Sequence, residues 1–220
     1  MFESQMITMI IDNMGISIYM VVASTFFSYL FGLPLGVLLI VTASDGLHPM
    51  PLLNQVLNVL VNLLRSVPFL ILLFMIMPFT QFVTGSSFGA NATIVPLIVS
   101  AAPFVARLIE SSFKEIDYGV IEAAQSMGAS NWQIITKVML PESKPSLLIG
   151  SALAATTILG YSAMAGVVGG GGVGDVAIRY GFYRNKKDLM YICVIILVII
   201  TQVIQEAGLR IANKTDKRLH

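Results

Sequence analysis

The sequence predicts an all-α membrane protein with five transmembrane helices, and three observations support this. First, 56% of the 220 residues are hydrophobic and only 11% are charged, whereas a soluble domain carries about a quarter charged residues. Second, the mean hydropathy is +0.83, which excludes a disordered chain, because disorder requires low hydrophobicity. Third, five apolar runs of about 20 residues or more are continuous rather than alternating, which favours spanning helices over barrel strands.

The five predicted spans follow directly from these runs. They cover residues 15–41, 57–83, 90–109, 146–168 and 189–211. The second run is interrupted by Arg65, and the third has Arg107 near its end. Because no Lys or Arg precedes Arg65, a cleavable signal with a basic leading region is not expected, and the first run is expected to remain a span. The whole chain is predicted to form a single membrane domain.

The distribution of cationic residues predicts the orientation of the chain. Five spans place the two termini on opposite sides of the membrane, and cytoplasmic segments carry an excess of Lys and Arg. The third-to-fourth connection and the C-terminal tail share one side and hold eight cationic residues: Arg107, Lys114, Lys137, Lys144, Arg210, Lys214, Lys217 and Arg218. The other side holds four: Arg179, Arg184, Lys186 and Lys187. The C-terminus is therefore predicted to be cytoplasmic and the N-terminus outside.

Composition and motifs weigh against several functions. The net charge of +1 is too balanced for a protein that binds nucleic acid through a basic face. One cysteine, Cys193, and two distant histidines do not make a metal site, and neither an H-E-x-x-H motif nor a P-loop is present, so the chain is predicted to be non-catalytic. None of the five span cores contains an acidic residue, since Glu110 and Glu206 lie near span ends, and this disfavours the alternative of an ion-coupled carrier.

The connection between the third and fourth spans, residues 110–145, has helical signals of its own. Asp117 is placed as the N-cap of a short helix. Gly128 suits the left-handed position at which that helix ends. Ser130 begins a second helix with a capping box, and this helix is predicted to stop before Pro141. The connection is therefore predicted to form two short helices separated by a tight turn.

One face of the first short helix is small and apolar. Val120, Ala123, Ala124 and Met127 occupy it at positions i, i+3, i+4 and i+7. Such a face suits a groove on a partner protein, and it equally suits packing against the helices of the same chain. From the residues alone, both interpretations stay open.

The same connection carries a motif with many fixed positions. They are Glu122, Ala123, Ala124, Gly128, Val138, Leu140 and Pro141. The pattern resembles the signature of ABC importer permeases, which reads E-A-A, three residues, G, nine residues, I-x-L-P, with Val138 at the Ile position. The resemblance implies that this segment, including Met127, is a coupling helix that docks in a cleft on a cytoplasmic ATPase.

Four further segments resemble methionine importer permeases. They are residues 65–69 (RSVPF), 101–107 (AAPFVAR), 160–166 (GYSAMAG) and 177–181 (AIRYG). The resemblance implies a type I ABC importer permease fold and a homodimer in the lipid of the bacterial cytoplasmic membrane. It also implies two ATPase subunits, which bind ATP and Mg in place of this chain, and an extracytoplasmic methionine-binding lipoprotein. The expected substrate is D- or L-methionine, with another small amino acid as the alternative.

Arg65 is the one charge well inside an apolar run. It shares a helical stripe with Asn54, Asn58 and Asn62. Charged groups at membrane depth face a cavity or a partner, so Arg65, Ser66 and Pro68 are assigned to the translocation path, where Pro68 permits a bend. The alternative is that the amides hold neighbouring helices together by hydrogen bonds.

The fourth span offers candidate contacts for a small amphipathic substrate. Tyr161 and Ser162 supply hydroxyl groups, and Met164 supplies a soft thioether. The family resemblance nominates this helix as the gate of the path. The alternative for each side chain is ordinary packing within the helix bundle.

Six glycines follow this span within nine residues. They are Gly166, Gly169, Gly170, Gly171, Gly172 and Gly174. Three of them match G-x-G-x-x-G, but they follow a membrane helix rather than a strand, so nucleotide binding is rejected. The run either forms a hinge beside the path or lets backbones pack closely, and both interpretations stay open.

Overall fold

The computed structural model describes residues 2–216, and side chains from Gln5 to Asp216, so the cationic residues Lys217 and Arg218 lie outside the described residues. Within this range the chain is helical and contains no strand. The α-helices are α1 (Phe2–Val41), α2 (Pro51–Ser66), α3 (Phe69–Met75), α4 (Met77–Thr84), α5 (Ala90–Lys114), α6 (Tyr118–Ser126), α7 (Asn131–Gln133), α8 (Leu140–Glu142), α9 (Lys144–Ala165), α10 (Gly172–Val176) and α11 (Lys187–Thr215). Wider π-helical turns occupy Ile134–Met139 and Ala177–Phe182, and a 3₁₀ turn occupies Gly166–Val168.

Four of the described helices are long and apolar enough to cross a membrane. They are α1, α5, α9 with its 3₁₀ extension, and α11. A fifth crossing is obtained when α2 and α3 are taken together as one broken span. The all-helical membrane fold predicted from the sequence is therefore confirmed, with four to five candidate spans in the described part of the chain.

The predicted second span, residues 57–83, is divided among three helices. Helix α2 ends at Ser66, and α3 leaves it at an angle of 100°. Val67 between them is extended, with φ −78° and ψ 123°, because a residue before proline is driven out of the helical region. The bend that Pro68 is predicted to permit is thus much sharper than a kink, and no single straight helix forms over this range.

Helix α1 packs along α5 by close backbone contact. A Cβ atom at Gly32 would lie 2.8 Å from the carbonyl oxygen of Ala102, and one at Gly36 would lie 2.7 Å from that of Ala106. Any side chain at these two positions would push the helices apart, so glycine sets the distance between α1 and α5.

Four hydrophobic clusters lie among the described residues, and the two with the most residues hold the middle of the bundle and the third-to-fourth connection. The mid-bundle cluster joins α1, α3, α5 and α9 and includes Met20, Phe69, Leu97, Ile158 and Leu159. The connection cluster joins the end of α5 to the segment that follows and includes Phe113, Ile116, Ala124, Ile134 and Met139. The second cluster fixes the short helices of the connection against the ends of the long ones.

The helical signals between the third and fourth spans are confirmed. The Oδ1 atom of Asp117 accepts a hydrogen bond from the amide of Gly119 at 2.7 Å, which caps the start of α6. Gly128 follows α6 with φ +78°, in the left-handed region. The side chains and amides of Ser130 and Gln133 form the predicted capping box at the start of α7.

The second helix of the connection does not stop before Pro141, so that prediction is wrong. It continues through the π-helical turn Ile134–Met139 into α8, which contains Pro141. Proline lacks an amide hydrogen and crowds the carbonyl group four residues earlier. A π turn bonds over five residues instead of four, so the wider turn before Pro141 accommodates the proline ring. The break comes later, at Ser143.

Candidate functional site

The signature segment forms α6 and the turn that follows it. Glu122 and Ala123 are exposed, whereas Ala124 is only 4% exposed and packs in the connection cluster. Val120 and Met127 remain exposed. The small apolar face is therefore divided: one residue anchors α6 to its own chain, and its neighbours face outward.

The outward side of this segment carries large apolar side chains. Their exposed fractions are 64% for Tyr118, 42% for Val120, 82% for Met127 and 73% for Trp132. We call these four residues the α6 surface. Leu140 is half-buried and Pro141 is exposed on the helix beyond. Because exposed large apolar side chains are typical of interaction sites, the α6 surface is a candidate contact for a protein partner.

A polar network joins α2 to the end of α5. Arg107 donates to Oε2 of Glu110 at 2.6 Å and to Oδ1 of Asn62 at 2.9 Å, and Lys114 binds Oε1 of Glu110 at 2.7 Å. The Glu110 side chain is 11% exposed, and its charge is compensated by two cations, as a buried carboxylate requires. The i, i+3 and i+4 spacing of these charges is the sequence signal for this network, which the prediction missed.

Two amides of the α2 stripe, those of Asn54 and Asn62, join α2 to neighbouring helices in this conformation, and Asn58 bonds within α2. The Nδ2 group of Asn54 donates to the carbonyl oxygen of Leu39 at 2.7 Å. Asn58 donates to the backbone and side-chain oxygens of Asn54, each at 2.8 Å. With Asn62 bonded to Arg107, all three amides have partners within the chain.

Arg65 differs from these amides because its side chain is exposed and lies over an aromatic ring of α5. The residue is exposed, and its guanidinium carbon lies 5.9 Å from the centre of the Phe104 ring. Ser66 and Pro68 next to it are also exposed. The sharp bend after Ser66 therefore presents one cation on an open side of the chain, whereas the Ser66 hydroxyl donates to the carbonyl oxygen of Asn62 at 2.7 Å.

The three candidate residues on α9 face different surroundings. The Tyr161 ring is stacked on the Phe69 ring, with centroids 4.8 Å apart. Ser162 is buried and donates its hydroxyl to the carbonyl oxygen of Leu159 at 2.8 Å. Met164 is 47% exposed. Of the three side chains, that of Met164 is the most open to a ligand or a second chain, and the Ser162 hydroxyl is turned into its own helix.

The glycine run forms a tight return against α9. A Cβ at Gly166 would lie 2.5 Å from the amide nitrogen of Asp175, and one at Gly174 would lie 2.4 Å from the Cα of Ala163. A Cβ at Gly170 would lie 2.7 Å from Oγ1 of Thr93. Positive φ angles occur at Gly169, Gly171 and Gly172. In this conformation the run serves close packing and tight turns, and the hinge stays a prediction.

Helix α1 supplies the N-terminal cap of α10. The Oδ1 atom of Asn13 accepts from the amide of Gly172 at 3.1 Å, and Oγ of Ser17 accepts from the amide of Val173 at 2.9 Å. Helix α10 has no cap side chain of its own, so these two polar groups of α1 satisfy amides that a helix start leaves free. They fix the glycine return to the first long helix.

The described residues show no site for a metal ion. No group of three or more His, Cys, Asp or Glu side chains between residues 2 and 216 is arranged to hold one. The matching glycines of the G-x-G-x-x-G pattern follow helix α9 and not a strand. The candidate sites are therefore the α6 surface, the open side around Arg65, and the outer part of α9 with its glycine return.

Residues 32–211 match the family described as the binding-protein-dependent transport system inner membrane component. This range covers most of the chain and includes the signature segment. The chain belongs to this family. It is therefore a multi-pass protein of the inner membrane, in agreement with its long apolar helices.

Two curated relatives in the family are similar over most of their length. The probable D-methionine transport system permease protein of Pasteurella multocida is 48% identical over 202 residues, which are 92% of this chain and 93% of the relative. The methionine import system permease protein of Bacillus subtilis is 41% identical over 181 residues, 82% of each chain.

A solved structure of this family has the same fold. A chain of the MetNI methionine ABC transporter in an inward-facing conformation superposes with a TM-score of 0.95 and is 40% identical. The match covers 97% of this chain and 99% of that one. The type I importer permease fold expected from the resemblance is confirmed by this likeness.

Proposed function

We propose that this chain is the permease subunit of an ATP-driven methionine importer and forms, with a second copy of itself, the translocation path for D- or L-methionine. The observation that carries the proposal is the TM-score of 0.95 to a methionine ABC transporter over 97% of the chain. The relatives from Pasteurella multocida and Bacillus subtilis are both named as methionine permeases. The chain itself is not an enzyme in this proposal.

The proposed architecture has five spans in one permease domain over residues 1–220. The broken pair α2 and α3 makes the second crossing, the N-terminus lies outside, and the C-terminus lies in the cytoplasm. The excess of Lys and Arg in the third-to-fourth connection and the tail supports this orientation. The α6 surface then projects into the cytoplasm.

The signature residues are proposed to transmit force from a separate ATPase. Ala124 anchors α6 in the connection cluster, and Gly128 permits the turn at φ +78°. Met127, which is 82% exposed, enters the cleft on the ATPase. The remaining members of this contact are Glu122, Ala123, Leu140 and Pro141. ATP and Mg bind the ATPase subunits, so ATP hydrolysis moves α6, and α6 moves the helix ends packed in the same cluster.

The proposed path runs between the two copies, along the open side of each chain. Arg65 and Ser66, exposed beside the Pro68 bend, lie at its inner mouth, where a guanidinium group suits the carboxylate of an amino acid. Met164 and Tyr161 contribute to the gate on α9. Ser162 supports that helix through its buried hydrogen bond to the carbonyl oxygen of Leu159. The glycines from Gly166 to Gly174 act as the hinge of the gate when the path opens outward.

Three kinds of partner complete the proposed importer. A second copy closes the path, two ATPase subunits bind the α6 surfaces, and an extracytoplasmic methionine-binding lipoprotein delivers the substrate. Lipid surrounds the exposed apolar faces of the spans. The absence of an acidic residue from the middle of the apolar runs supports an external motor over an ion gradient, because coupling ions bind acidic groups within spans.

Reconstitution with the ATPase and the binding lipoprotein in proteoliposomes tests the proposal. We expect ATP-dependent uptake of labelled methionine. Met127→Asp places a charge on the α6 surface and is expected to lower both uptake and ATPase co-purification at least tenfold. The matched control is Phe88→Asp, because Phe88 is 62% exposed and lies far along the chain from α6; it should retain the ATPase.

The outcomes separate the alternatives. Uptake of a different small amino acid, with the ATPase still bound, would replace methionine as the substrate but keep the importer. Failure of any ATPase to co-purify with the unmodified chain would overturn the importer itself. Uptake driven by an ion gradient without ATP would favour the ion-coupled carrier.

A further inference from the structure

A basic and aromatic cluster stands exposed just before α11. Phe182 and Tyr183 are 67% and 68% exposed, and Arg184, Lys186 and Lys187 are exposed next to them. We call these five residues the outer basic cluster. These residues have no role in the proposed coupling segment, translocation path or glycine return.

The charges of this cluster are only partly balanced by the chain. The neighbouring cation Arg179 is paired with Asp175 at 3.1 Å, so the charge of Asp175 is already balanced by a residue outside the cluster. The guanidinium of Arg184 lies 4.5 Å from the centre of the Tyr180 ring. This cation–π contact uses the face of the ring and no hydrogen bond, so the N–H groups of Arg184 stay available to an anion. Asp188 is the one acidic residue beside the three cations in sequence.

The position of the cluster along α11 sets its depth in the membrane. Helix α11 begins at Lys187, and its exposed apolar side chains begin with Met190, Tyr191 and Ile192. One helical turn rises about 5.4 Å, so Lys187 lies about one turn from the apolar part of the span, and Arg184 and Lys186 precede it on the chain. If α11 spans the membrane, this position falls in the layer of the lipid headgroups, where the aromatic rings of membrane proteins gather.

From this geometry we propose that the outer basic cluster binds the headgroups of anionic phospholipids in the outer leaflet of the membrane. The inference rests on the orientation given in the proposed function. Cationic residues are depleted from external segments of membrane proteins. Three cations within residues 184–187 are therefore unusual on the outer side, and a nearby anion would balance their charge. Arg184, Lys186 and Lys187 meet the phosphate groups, and the Phe182 and Tyr183 rings enter the interface beside them.

Lipid retention by the complex of permease and ATPase tests the proposal. The complex is assembled in nanodiscs of equal parts phosphatidylglycerol and phosphatidylcholine, then washed with mild detergent, and the retained lipids are quantified by mass spectrometry. We expect about threefold enrichment of phosphatidylglycerol, falling close to one in R184Q/K186Q/K187Q. The control R184K/K186R/K187R keeps the charges and should keep the enrichment.

Three outcomes decide the proposal. Equal enrichment in the wild type and the glutamine variant would overturn it. If that unchanged enrichment is accompanied by a loss of stimulation by the binding lipoprotein, measured separately in phosphatidylcholine nanodiscs, the cluster serves an acidic protein surface instead of lipid. Loss of enrichment in the glutamine variant alone, with unchanged thermal stability in phosphatidylcholine, would support it.

The side of the membrane is measured separately, so that failure of the orientation is distinguishable from failure of lipid binding. An impermeant thiol reagent is applied to intact cells carrying Asn185→Cys in a Cys193→Ser background. Labelling from outside supports the outer leaflet. Labelling only after the cells are opened would overturn the outer-leaflet assignment and the proposed orientation together, whatever the lipid measurement shows.

Discussion

The ring of Tyr161 on α9 lies flat on the ring of Phe69 on α3, with centroids 4.8 Å apart and planes 3° apart. Phe69 is the first residue of α3 after the break at Val67 and Pro68. The stack therefore ties the redirected half of the second predicted span to the helix that we propose as the gate. It also places an aromatic surface beside the proposed path.

Replacing Tyr161 separates packing from contact with the substrate. Tyr161→Ala removes the stack and is expected to lower stability by about 0.5–1.5 kcal/mol beyond the lost burial. Tyr161→Phe keeps the ring and should leave the unfolding midpoint unchanged. The measurements are thermal unfolding of the purified complex and uptake of methionine. Loss of uptake in Tyr161→Phe with unchanged stability would assign the hydroxyl to the path, whereas normal uptake would restrict Tyr161 to packing.

The helix caps and the turn of the connection were predictable because each depends on a few neighbouring residues, whereas the end of the second helix was not. Asp117 caps a helix with its own carboxylate, and Gly128 adopts the left-handed conformation that glycine enters without strain. The direction of α3 was not predictable. Pro68 fixes the conformation of Val67, but the angle of 100° also depends on Phe69 packing into the mid-bundle cluster, which is a contact between distant parts of the chain.

Gly128→Ala tests the turn between α6 and α7. A Cβ at Gly128 would contact nothing within 4 Å, so the cost arises from its φ of +78° alone. That cost is expected to be about 1–2 kcal/mol, measured as a lower unfolding midpoint. If the turn positions the α6 surface, ATPase stimulation by substrate should fall as well. A variant with reduced stability and normal stimulation would contradict the proposed role of this turn in coupling.

The network around Glu110 gives a prediction about stability. Glu110→Gln leaves Arg107 and Lys114 without their shared carboxylate and is expected to destabilise the chain by about 2–3 kcal/mol. The control is Glu206→Gln, whose bond to Arg210 is equally short at 2.6 Å but whose side chain is 57% exposed. Exposed pairs contribute about 0–1 kcal/mol. Equal shifts of the unfolding midpoint in the two variants would show that burial does not strengthen the Glu110 network.

The packing partners of the glycine run were not predictable from the sequence. Six glycines in nine residues indicate close backbone approach or a hinge, and the sequence does not distinguish them. In the described conformation the partners are Ala163, Thr93 and Asp175, which are contacts set by the return of the chain against α9 and α5. No local pattern identifies these partners, because the return also depends on the caps that Asn13 and Ser17 supply from α1.

Gly174→Ala tests whether the glycine return is needed for packing. The new Cβ would lie 2.4 Å from both the Cα and the carbonyl oxygen of Ala163, and backbone cannot move aside as a flexible side chain does. We expect a loss of about 1–3 kcal/mol. The control is Gly15→Ala, where a Cβ meets nothing within 4 Å and alanine is favoured in a helix by about 1 kcal/mol.

The comparison of Gly174→Ala with Gly15→Ala also bears on the hinge. A rigid packing role predicts that Gly174→Ala lowers the unfolding midpoint and methionine uptake together. Both would then depend on the close contact between the glycine return and Ala163 of α9. A hinge predicts that uptake falls further than stability explains, because alanine restricts the backbone during opening. Unchanged stability and uptake in Gly174→Ala would contradict both roles, and would show that α9 and the return separate readily in the working transporter.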